Sequence, residues 1–149
     1  MTEVLFYELD RQRLEPVLAT LLERCLERGW RAVVQASSQE RIEALDTYLW
    51  TYRDEAFLAH GTAATDHPAL QPVYLCDGEE NPNRAAVRFF VDGAGIGDVS
   101  GYERAVYLFD GRDPQDRDLA RSRWRSLAGS GHEVTYWKQD DTGRWVKQG

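Results

Sequence analysis

The sequence is poor in the features that announce chemistry or a membrane. Cysteine occurs only twice in 149 residues, as Cys25 and Cys76. Neither stands at a metal or redox spacing. Cys25 falls in an apolar helical pattern and Cys76 ends an apolar run, so both read as buried thiols of a reducing compartment. The three histidines, His60, His67 and His132, are not at helical or strand spacing from another metal-binding side chain. There is no Gly-x-Ser-x-Gly elbow and no Gly-x-x-x-x-Gly-Lys-Ser/Thr phosphate loop. No apolar run approaches the roughly 20 residues of a spanning helix, and the N-terminus lacks a signal-peptide pattern. Net positive charge is also missing. The chain carries -7 with a pI near 5.0, which argues against broad affinity for nucleic-acid phosphates. The expectation is a cytoplasmic protein with no membrane segment, metal, cofactor or catalytic residue of its own, touching nucleic acid only indirectly.

What is present is an ordinary globular composition, 42% hydrophobic and 29% charged, enough for one domain spanning residues 1–149. Short β-prone apolar runs alternate with helical patterns. Strands are predicted near 4–9, 30–36, 73–76, 86–91, 104–109 and 133–138, and helices near 14–28, 39–50 and 114–128. Leu14, Val17, Leu18, Leu21, Leu22, Cys25 and Leu26 recur at i, i+3, i+4, i+7, with Pro16 in the first turn and Gly29 just past the end. Ser37 and Glu40 stand three apart, as in a capping box opening the second helix. Strand, helix and strand in close succession predict a βαβ unit with the first two strands paired in parallel. Arg144-Trp145-Val146, after the turn Asp141-Thr142-Gly143, is expected to pair back as a hairpin. The fold class is α/β: one three-layer α/β/α domain with a mostly parallel sheet and nucleotide-binding-like topology, without a phosphate loop.

One stretch breaks the acidic background. From Arg112 to Arg125 there are five Arg against three Asp, so this segment is +2 within a chain of -7. Asp113 is placed to cap a helix and Pro114 to sit in its first turn. At 100° per residue, Arg117, Arg121, Trp124 and Arg125 share one arc, while Leu119, Ala120 and Leu127 point to the other side. Guanidinium groups beside an indole suit a ligand with carboxylates and an apolar anchor. The competing reading is a solvated face whose Arg pair with Asp113 and Asp118 on the same helix.

A second stretch, Asp92 to Asp98, is glycine-rich and follows a strand. Its Gly-x-Gly-x-Gly spacing is not the dinucleotide fingerprint, and no helix opens directly after it. It reads as a flexible surface turn. A small nucleotide-dependent enzyme on a doubly wound sheet is therefore the alternative, which the architecture allows and the missing phosphate loop disfavours. Direct single-strand binding by stacking on Trp would need a less acidic chain.

The most distinctive stretch is Leu45-Asp46-Thr47-Tyr48-Leu49-Trp50, a short polar gap, then Ala56-Phe57-Leu58-Ala59-His60. With Phe6-Tyr7-Glu8-Leu9 before it, and Phe109-Asp110 and Leu119 to Arg125 after it, the order resembles the chi subunit of bacterial DNA polymerase III, part of the clamp-loader assembly, over nearly the whole chain. The resemblance implies a non-catalytic accessory subunit. It would grip the acidic, phenylalanine-ended C-terminal tail of single-stranded DNA-binding protein and, in many bacteria, bind a partner subunit called psi. It implies tail contacts at Arg117, Arg121, Trp124 and Arg125, with Arg121 central and Trp124 where relatives commonly carry Tyr. It implies partner-subunit contacts at Trp50 and Phe57. Two departures from the pattern are Asp113, Asp116 and Asp118 on the basic helix and Asp110-Gly111 at its entry.

Overall fold

The computed structural model describes residues 2–10, 12–49, 62, 69 and 71–148 in full, and the backbone alone of residues 50 and 51. Among them the chain runs β1 (Glu3–Leu9), α1 (Leu14–Glu27), β2 (Ala32–Gln35), α2 (Gln39–Thr51), β3 (Val73–Cys76), β4 (Val87–Phe90), β5 (Arg104–Asp110), α3 (Pro114–Ala128), β6 (Glu133–Gln139) and β7 (Trp145–Lys147). The strands form one sheet in the order β3-β2-β4-β5-β1-β6-β7. All pairings are parallel except β6 with β7, the expected hairpin.

The sequence pattern placed β1 beside β2, and this is corrected. The two are parallel but separated by β4 and β5. Three strand spacings are about 14 Å, a gap that the 14-residue α1, about 21 Å long, can span. Strands β4 and β5 are buried along almost their full length, and a central position, with neighbours on both edges and helices on both faces, satisfies them.

Alternation along each strand divides the core. Leu5, Leu9, Val34, Val87, Phe89, Val106 and Leu108 face α1 and α2. Val4, Phe6, Phe90, Ala105, Tyr107 and Phe109 face α3. Helix α1 buries Val17, Leu18, Leu22 and Cys25. It ends in a Schellman closure: Trp30 N–H donates to Cys25 O at 2.9 Å and Gly29 N–H to Leu26 O at 3.0 Å, with Gly29 at φ 77°. Helix α2 buries Ile42, Leu45 and Leu49. Its cap is one residue later than expected, since Ser38 rather than Ser37 accepts from Arg41 N–H at 3.4 Å.

The glycine-rich segment after β4 is packed, not a loose surface turn. Ala94 and Val99 are buried, Gly95 O accepts from Gln35 Nε2 at 3.2 Å, and a Cβ on Gly93 would lie 3.3 Å from Leu119 Cδ1. Asp92 and Gly93 both take positive φ to make the turn. Beneath it lies Arg88, only 3% exposed. Its guanidinium donates to Gln35 Oε1 at 2.8 and 3.1 Å, to Glu80 O at 2.9 Å and to Tyr102 Oη at 3.0 Å. Those acceptors satisfy the buried cation and tie the turns after β3 and β4 together.

Candidate functional site

Helix α3 starts as its sequence requires. Asp113 accepts from Gln115 N–H at 3.0 Å and Pro114 opens the first turn. Asp116 turns back to accept from Asp110 N–H at 2.7 Å, fastening the helix to the end of β5. Burial holds the Asp116 carboxyl above the usual range, with the charges of Asp113, Asp110 and Asp92 acting the same way.

The buried stripe centres on Ala120 and Leu127, which rotates the helix from the expected setting. Leu119, placed on the core side by pattern, is 40% exposed and lies over the Gly93 turn. Trp124, placed on the outer face, is half-buried. It stands 40° from Ala120 on the helix and so reaches the sheet. Its ring meets Phe6 edge-on at 5.3 Å and Tyr136 at 6.3 Å, a geometry favoured by aromatic quadrupoles.

This rotation builds a cup of about 160 Å³ between helix and sheet. Its apolar lining is Phe6, Phe109, Ala120, Trp124 and the ring of Tyr136, and its rim carries Arg117 and Arg121. The volume is well below the roughly 300–1,000 Å³ of drug-sized sites and suits a single apolar side chain. Arg121 and Arg117 are exposed. Arg121 meets Asp118 only at 3.9 Å, with both side chains largely in water, a contact worth little. Neither Arg117 nor Arg125 forms an ion pair among the described residues. The Arg117–Asp113 pairing of the solvated-face reading is therefore absent among them, and Asp113 and Asp116 serve the helix start instead. Arg125 is exposed but lies outside the cup lining.

One acid, Glu8, lies in the cup lining, and it is already engaged. Tyr136 donates its hydroxyl to Glu8 Oε1, and Lys138 Nζ lies 3.2 Å from Oε2. Burial and this carboxylate push the Tyr136 phenol up, so it stays a donor. Glu8 has room because residue 111 is glycine; a Cβ there would come within 2.5 Å of Glu8 Cγ. Phe6, Glu8, Phe109 and Tyr136 were missed as site residues by sequence reasoning. The signal was their strand parity, since even positions of β1 and odd positions of β5 face α3.

Trp50 falls in the last turn of α2, and its side chain is outside the described residues, as are Phe57, His60 and His67. His132 accepts from Thr2 N–H through Nδ1 at 3.4 Å, a structural contact.

Doubly wound sheets bind nucleotides at the carboxyl ends of their strands. Here that crevice, beyond Leu9 and Asp110, gathers Glu15, Asp92, Asp110 and Asp116. Arg41 bridges it, Nε to Asp92 Oδ2 at 2.9 Å and Nη2 to Glu15 Oε1 at 3.6 Å. Arg13 and Arg112 line it as well, so acids and cations nearly balance there, and it is the missing phosphate loop that counts against the nucleotide-enzyme alternative.

Fold and site thus define an α/β protein that presents a small apolar cup under two cations. Residues 1–135 match the family model described as DNA polymerase III chi subunit, HolC, and the chain belongs to this family. Its members are non-catalytic accessory subunits in DNA replication. Among curated relatives, a probable DNA polymerase III subunit chi of Rickettsia prowazekii is 26% identical over 109 residues, covering 73% of this chain and 66% of that protein. The DNA polymerase III subunit chi of Pseudomonas aeruginosa is 28% identical over 137 residues, covering 90% and 94%. No helix among the described residues is long and apolar enough to cross a membrane.

Proposed function

We propose that the chain docks the acidic, phenylalanine-ended C-terminal tail of single-stranded DNA-binding protein in the α3 cup, and so bridges that protein to the clamp-loader assembly during replication. The observation that carries this is the pairing of a one-side-chain apolar cup with Arg117 and Arg121 at its rim. The terminal aromatic ring fills the cup against Trp124 and Phe109, and its carboxylate meets Arg121. Aspartates further back along the tail meet Arg117 and Arg125. Engagement of both Glu8 oxygens by Tyr136 and Lys138 lowers the repulsion that the one acid in the lining would exert on an incoming carboxylate. Contact with nucleic acid is then indirect, through the bound protein. A psi subunit, or another clamp-loader component, is proposed to contact Trp50 and Phe57. The buried free thiols Cys25 and Cys76 suit a cytoplasmic setting.

The test is calorimetric titration of a peptide ending in Asp-Asp-Ile-Pro-Phe into the protein and into Arg121→Ala. Micromolar affinity, about -8 kcal/mol, is expected and should weaken with salt. Arg121→Ala should lose about 2 kcal/mol. An unchanged affinity in the variant moves the site off α3, and no binding at low salt rejects tail docking.

A further inference from the structure

A second group of cations lies on the opposite face of the sheet. Leu5 of β1, Val87 and Phe89 of β4 and Val106 of β5 face the α1 side and floor an open groove of about 470 Å³. One wall is the last two turns of α1. Another is Trp30, held in place by the Schellman closure. Arg24 of α1, Arg28 at its C-cap and Arg104 of β5 border it. The guanidinium carbons of Arg28 and Arg104 stand 4.9 and 5.2 Å from the Trp30 ring centre, which fixes both cations and ring. Two acids are nearby. Glu27 is on the rim, and Glu3 approaches Arg104 at 3.7 Å with both side chains partly in water. Arg24 and Arg28 are exposed, and neither forms an ion pair among the described residues.

The helix C-terminus explains why basic residues are tolerated here. It does not explain the groove itself, where the half-buried Tyr7, Leu21 and Trp30 stand as apolar walls over a floor only 1–4% exposed. Nor does the groove carry hidden negative charge. Burial pushes the Cys25 thiol up to about 11 and raises the Tyr7 phenol, so both lining groups stay neutral.

We propose that this groove docks an acidic internal segment of a partner protein that carries an aliphatic or aromatic anchor residue. Charge complementarity selects the acid: with Arg104 and Glu3 set against each other, Arg24 and Arg28 face one glutamate, in a chain that is otherwise strongly acidic. The half-buried walls Tyr7, Leu21 and Trp30 select the anchor. The groove is about three times the volume of the α3 cup and open to solvent, so it covers one side of an extended chain rather than enclosing a chain end.

The probe is acetyl-Asp-Glu-Leu-Phe-Glu-Asp-amide, which has no free terminal carboxylate for the α3 cup. It is titrated into the full-length 15N-labelled protein and followed by amide and indole shifts. Saturable shifts at Trp30, Phe89 and Val106 are expected, with a dissociation constant of about 0.1–1 mM. Arg24→Ala combined with Arg28→Ala, both exposed changes that leave the core intact, should weaken binding at least about fivefold. Arg121→Ala should leave it unaltered. The proposal is overturned by no saturable shifts at these residues, by equal affinity for acetyl-Lys-Arg-Leu-Phe-Arg-Lys-amide, by shifts confined to the α3 cup, or by unchanged affinity in the double variant.

Discussion

Helix α3 separates two concave surfaces, one lined by charges of both signs and one apolar under two cations. On one side is the crevice at the carboxyl ends of β1, β4 and β5, where Asp92, Asp110, Asp116 and Glu15 converge and Arg41 is drawn into ion pairs. On the other is the cup over Phe6 and Phe109, where Arg117 and Arg121 stand over apolar rings. The sheet topology offers the first as a ligand site, and many α/β proteins use it. This chain fills that place with four acids and three arginines, and sets an apolar cup rimmed by Arg117 and Arg121 on the flank of the helix. The contrast teaches that a fold nominates a site, while charge and shape at particular residues decide what each surface can hold.

The largest expected effect shows that the cup is continuous with the core. Phe6 is fully buried and supports Trp124 and Tyr107. Phe6→Ala should cost about 3–5 kcal/mol in urea denaturation, and a cost under about 1 kcal/mol would mean the cup floor is not packed as described. Next is Gly111→Ala, which forces Glu8 away from Tyr136 and Lys138. It should lower stability by about 1–2 kcal/mol and weaken tail-peptide affinity severalfold, because a freed carboxylate then faces the incoming one. Arg41→Ala strips the crevice of its bridging cation. It should cost about 1 kcal/mol of stability, since Arg41 is partly exposed, and leave peptide affinity within about twofold. A large affinity loss in that variant would shift binding to the crevice.

How much of this was legible beforehand divides by range of interaction. The strands, the three helices, the Asp113 cap and the final hairpin follow from local pattern, and the structure agrees with them. Strand order did not follow, because β1 and β2 are close in sequence while β4 and β5, from much later in the chain, lie between them. The basic residues at the cup rim were readable from the sign change along Arg112 to Arg125. The side taken by Trp124 was not, because a helical wheel ranks Leu119 as core and cannot know that Phe6 and Tyr136 wait beneath position 124. The cup floor comes from three strands far apart in sequence. The buried Arg88 reads as a polar position in an otherwise apolar strand until its carbonyl partners are seen.

The smallest expected effect concerns Asp116. Its folded-state carboxyl is raised, first by burial. The stability it contributes is therefore fully present below the ordinary carboxylate value near 4 and is lost as pH rises through the raised value. Asp116→Asn keeps an acceptor for Asp110 N–H and removes the ionisation. Its stability should match the parent protein within about 0.5 kcal/mol at low pH and fall less as pH rises. A steeper fall in the variant would contradict this assignment.

The most direct test of the central contrast is a shift map of the labelled protein with the Asp-Asp-Ile-Pro-Phe peptide. Shifts are predicted at the Trp124 indole, Phe109, Arg117, Arg121 and Tyr136, with Glu15, Arg41 and Asp92 unmoved. Shifts centred on Asp92 and Arg41, with Trp124 silent, would contradict docking in the cup.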